Sequence, residues 1–133
     1  MLTRRNFLST VGAAAASSAC LTLPMLSMAA PDAIVPKKRL AIVTTIWRFH
    51  SHAWHMGERF LVGYPRQGRW HQPPFEVVSA YVDQVEKNDL SRQRAEEFGF
   101  TIYPSIAEAL RCGGKELGVD AVLVIGEHGT YPR

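Results

Sequence analysis

An α/β domain built on an open parallel sheet is what this 133-residue chain predicts. Short apolar runs recur at residues 40–43, 75–83 and 120–126, and helix-like segments with turn signals separate them. The first run is continuous rather than alternating, as expected of a strand covered on both faces, and the last looks buried as well. Strands alternating with helices give a sheet of about four strands with helices on both faces, a Rossmann-like half.

Residues 1–30 read as an address rather than as fold. Arg4 and Arg5 precede Phe7 and Leu8, an uncharged stretch rich in Ala, Ser and Leu follows, and Ser27-Met28-Ala29 offers small residues to a signal peptidase. This pattern resembles a twin-arginine (Tat) export signal, so the Tat translocase is the expected partner and the periplasm the expected destination. Uncleaved, the apolar run would be the one route to the membrane. Without residues 1–30 the basic residues fall from 15 to 13 against 12 acidic ones, a net charge near +1. No basic stripe remains for nucleic acid. Of the two cysteines only Cys112 would survive, which rules out an intrachain disulfide and leaves stability to the core.

Residues 31–38 form a proline-bounded linker, and the domain proper spans 39–133. A first strand is expected at 39–46, then a helix over 51–62 ended by Gly63 and Pro65. Residues 66–74, with Gly68 and paired prolines, read as irregular. A second strand is expected at 75–83, a helix at 90–98 closed by Gly99, and a short third strand at 100–103. Ser105 and Glu108 have capping-box spacing at the start of a helix that stops at Gly113-Gly114. The fourth strand, 120–126, looks buried. The chain breaks off soon after it, at Tyr131-Pro132-Arg133, and reads as a piece of a longer polypeptide.

From Phe75 onward the residues resemble the nucleotide-binding domain of the Gfo/Idh/MocA oxidoreductases. The likeness rests on a strand ending at Asp83 followed by the helix Ser91-Arg92-Gln93-Arg94-Ala95-Glu96-Glu97-Phe98-Gly99. It continues through Ile102-Tyr103-Pro104-Ser105-Ile106-Ala107-Glu108 and Val119-Asp120-Ala121-Val122-Leu123-Val124-Ile125. The resemblance implies NAD or NADP as cofactor, a sugar or polyol as small-molecule substrate, and folded export with the cofactor already bound. Two features depart from the family. Its G-x-G-x-x-G, which lets backbone close on a pyrophosphate at a helix N-terminus, is replaced by Thr44-Thr45-Ile46-Trp47-Arg48-Phe49-His50, with no glycine until Gly57. Its Glu-Lys-Pro catalytic motif and its substrate domain would fall beyond Arg133, so this chain alone is expected to catalyse nothing.

Ligands of open parallel sheets sit beyond the carboxyl ends of the strands. That places Thr44, Thr45 and Arg48 at and just beyond the end of the first strand, Asp83 at the end of the second, and Glu127 and His128 after the fourth as the candidate cofactor-binding set. Asp83 stands where a ribose-binding carboxylate would stand, or is a turn acid; Arg48 and the Thr hydroxyls are the candidates to meet phosphates. Glycines around Glu127 and His128 mark a turn whatever their function. His50, His52 and His55 are spaced to converge on a metal, on an anionic or sugar ligand, or on solvent alone. The competing reading of the whole is a non-catalytic exported binding module on a Rossmann-like shelf.

Overall fold

The computed structural model describes residues 36–132. The expected export signal and most of the linker lie outside the described residues. The elements run β1 (Lys38–Thr44), α1 (His52–Leu61), β2 (Tyr64–Arg66), β3 (Arg69–His71), β4 (Phe75–Val82), α2 (Ser91–Phe98), β5 (Thr101–Ile102), α3 (Ile106–Arg111) and β6 (Ala121–Ile125). Four of the strands form one sheet in the order β5-β4-β1-β6. Every pairing in it is parallel. The α/β class and the parallel sheet are therefore as the sequence predicts. From β1 the chain goes first toward β4 and β5, then returns to the other side of β1 for β6. The strand order thus reverses between β1 and β6, the switch point at which such sheets hold ligands.

Pairing assigns the faces. Ile42 pairs with Ala80 and Leu123, and these side chains share the face covered by α1 and α2. The main core lies there, with Leu40, Ile42, Trp47, Val77, Ala80, Val82, Phe100 and Ile125 all buried. Gly57 lets α1 approach closely, because a Cβ at that position would stand 3.1 Å from the Trp47 ring and 3.4 Å from Ile42. A register shift opposite Leu40 and Ala41 leaves Val78 as an extra residue in β4. Val77, Ala80 and Val82 consequently all reach the same core, although a regular strand would turn Val77 and Ala80 to opposite faces. The opposite face presents Val43, Tyr81 and Val124, and α3 packs over β4 and β1 there.

Helix ends follow local chemistry. Ser51 caps α1, its hydroxyl accepting from Trp54 N, and Ser105 caps α3 by accepting from Glu108 N. Gly99 closes α2 in the left-handed conformation at φ 75°.

Three expectations need correction. The stretch 66–74 is irregular only at 72–74: Tyr64–Arg66 and Arg69–His71 pair antiparallel around Gln67 and Gly68. Both turn residues have positive φ, at 50° and 73°, the twist that a two-residue hairpin loop requires. The first strand ends at Thr44 rather than residue 46, where the Thr44 hydroxyl donates to Ile46 O at 3.1 Å and bends the chain away. The fourth strand is buried on one face only. Val122 is 42% and Val124 70% exposed, because α3 packs on β4 and β1 and β6 is the last strand of the sheet.

Candidate functional site

The carboxyl ends of β1, β4 and β6 bring polar groups from three loops together, and the segment after β6 folds back across them. Gln84 fastens that segment: its side-chain amide donates to Thr130 O at 3.2 Å, while its amide oxygen accepts from Thr130 N at 2.9 Å. Tyr131 is thereby set over the end of β4. A cleft of about 280 Å³ remains, floored by Val43 and Val124 and rimmed by Thr45, Tyr81, Asp83 and Tyr131.

Asp83 is the acid of this cleft. The Tyr81 hydroxyl donates to Oδ1 at 2.7 Å and the Tyr131 hydroxyl to Oδ2 at 2.8 Å. Those bonds, Tyr81 first, hold the Asp83 carboxyl below the usual carboxylate range. Reciprocally, the carboxylate pushes the Tyr81 and Tyr131 phenols up, because a phenol that donates to an anion resists ionising. Sequence reasoning found Asp83 and missed both tyrosines. Tyr81 could have been found, since it lies two residues before Asp83 and so shares a strand face with it. No sequence signal reaches from Asp83 to Tyr131.

Glu127 lies at the other side of the switch point, against the N-terminus of α1. His52 N donates to its Oε2 at 2.7 Å, and His52 Nδ1 lies 2.8 Å from the same oxygen. Its own backbone N–H donates to Thr45 Oγ1 at 3.2 Å. Partial burial is the largest single influence on the Glu127 carboxyl and raises its pKa. The two bonds from His52, with the charges of His52 and Arg48, together outweigh it, and the net shift is downward. A carboxylate at a helix N-terminus is well placed, because the free first-turn amides and the helix dipole both favour an anion there. It is also where a dinucleotide of this fold would put its pyrophosphate. The protein fills that anion position with its own side chain.

The remaining candidates divide. Thr44 and Thr45 both line the cleft, and the buried Thr44 hydroxyl donates to Ile46 O. Arg48 Nε sits 3.0 Å from Glu86, on the loop after β4. His128 is exposed and makes no side-chain hydrogen bond among the described residues. The three histidines separate: His52 goes to Glu127, while His50 and His55 stack on each other at 5.7 Å beside Trp54 and Phe49. Glu58, the acid nearest them in sequence, is bound to Arg94 at 2.7 Å. Among the described residues no three His, Cys, Asp or Glu side chains are grouped to hold a metal ion.

No protein-family model matches the chain, and neither a curated protein nor a solved structure gives a significant match to it.

Proposed function

We propose that the chain is the Rossmann-like binding domain of an exported sugar or polyol protein related to the Gfo/Idh/MocA oxidoreductases, with a degenerate phosphate site. Its ligand is a hydroxyl-bearing small molecule held at Asp83. One observation carries this reading: Glu127 occupies the anion position at the start of α1, so a pyrophosphate arriving there meets a carboxylate instead of free amides. The cleft beside it suits a sugar hydroxyl. A carboxylate accepts hydroxyl protons, two phenols and a threonine donate or accept, and the aliphatic floor takes the C–H face.

A second reading is retained by the strand order and by Asp83 at the end of β4, where a ribose-binding acid of an NAD- or NADP-linked oxidoreductase stands. In that reading Glu127 swings away and Arg48 turns from Glu86 to the phosphates. Calorimetric titration of the full chain with adenosine, a pentose and polyol panel, NAD and NADP separates the two. The first reading expects a hydroxyl ligand to bind, binding to be lost in Asp83→Ala, and the pyrophosphate of NAD to add nothing over adenosine. NAD or NADP binding more than about tenfold tighter than adenosine would establish the second reading instead.

A further inference from the structure

We propose a second binding site, for an aromatic or branched-chain carboxylate anion, in the cleft bounded by α1, the β2–β3 hairpin and β6. It lies on the core face of the sheet, whereas the cleft at Asp83 opens on the face of Val43 and Tyr81. With a volume of about 420 Å³ it is the larger of the two. Pockets of a few hundred Å³ with an apolar lining and a few polar groups are the usual seats of small molecules.

Chemistry at the rim selects the ligand. Met56, Phe60, Phe75 and Leu123 line the cleft with two prolines, while its polar groups come from Arg59, Tyr64 and His71. No acidic residue lines it. The two phenylalanines meet edge to face at 6.0 Å, a wall suited to a flat ring or a branched chain. The Arg59 guanidinium stands over the Tyr64 ring at 5.9 Å, and Tyr64 meets the His71 ring edge to face at 5.0 Å, so the cation of the lining rests on an aromatic face. Among the described residues Arg59 has no carboxylate partner. An unpaired guanidinium over an apolar cavity without acids is complementary to a carboxylate on an apolar body.

The hairpin supplies half of this cleft and is locked to α1. Gly63 makes the turn between them at φ 87°, Trp70 Nε1 donates to Val62 O at 2.9 Å, and Gln72 Nε2 reaches Leu61 O. The cleft is therefore built into the connection between α1 and β4, where a Rossmann-like half needs only a short loop.

Titration of the full chain with 2-naphthoate, followed by tryptophan fluorescence and calorimetry, tests the site. Saturable binding is expected, weakened at least about fivefold in Arg59→Gln and for the neutral 2-naphthamide, and unchanged in Asp83→Ala. Arg59 is exposed, so its variant should keep the wild-type melting curve. Any of three binding results would overturn the proposal: no saturable binding up to about 5 mM, equal binding of acid and amide, or an equal loss in Asp83→Ala. Sedimentation as a dimer that excludes naphthoate would instead assign the cleft to a second copy of the chain and overturn it too.

Discussion

Glu127 joins residues 75 positions apart, and its ionisation carries a pH signature. Its folded carboxyl titrates below the ordinary 4.5 of a glutamate. A depressed folded pKa contributes stability above the unfolded value and loses it as pH falls through the folded one. Glu127→Gln should therefore cost about 0.5–1 kcal/mol near neutral pH and little once the carboxylate of the wild type is protonated. Urea denaturation followed stepwise from pH 7 down through the acid range reads the difference. A loss that stays constant across that range would show that the carboxylate's charge is not what holds α1's first turn. Asp83, in contrast, is solvent-facing, and its two phenol bonds are screened and contribute little to stability.

At the scale of elements, the β2–β3 hairpin hangs on one backbone conformation. A Cβ at Gly63 would stand 2.6 Å from His71 O and 2.8 Å from Trp70 Nε1, and φ there is 87°. Gly63→Ala should cost about 2 kcal/mol or more, combining left-handed strain with a clash against backbone. Thermal melts check it, and Gly99→Ala, at φ 75° with open space around the Cβ position, is the strain-only control expected near 1 kcal/mol. The elements differ in how openly the sequence declared them. β1, β4 and the helix stops at Gly63 and Gly99 were legible because apolar runs and αL glycines are local signals. The hairpin was not, since three-residue strands of Tyr-Pro-Arg and Arg-Trp-His carry no apolar alternation. The site was half legible: strand ends pointed to Asp83, Thr45 and Glu127. Tyr131, and the pairing of Glu127 with His52, depend on how the chain returns over the sheet, which no local pattern encodes.

On the scale of the whole molecule, the sheet ends in two edge strands, the two-residue β5 and the five-residue β6. Among the described residues β6 has β1 on one side and no strand on the other, with Val122 and Val124 open to solvent on the α3 face. An unpaired strand edge bearing aliphatic side chains and no charge is a template for pairing with another chain. The isolated chain should therefore self-associate as concentration rises, and Val124→Lys should suppress this at little cost in stability. Static light scattering across a dilution series is the measurement; identical curves for the two proteins would remove the edge as the cause.

The fold-back of residues 126–131 has a consequence for any guest of the Asp83 cleft. The acid there already has two phenolic companions, and the neighbouring anion seat already has a resident. A newcomer is thus an exchange partner, and its measured affinity is discounted by the work of unseating Tyr131. Occupancy would then announce itself at a distance, as loosened protection of the Thr130 amide in hydrogen exchange once Gln84 loses its hold.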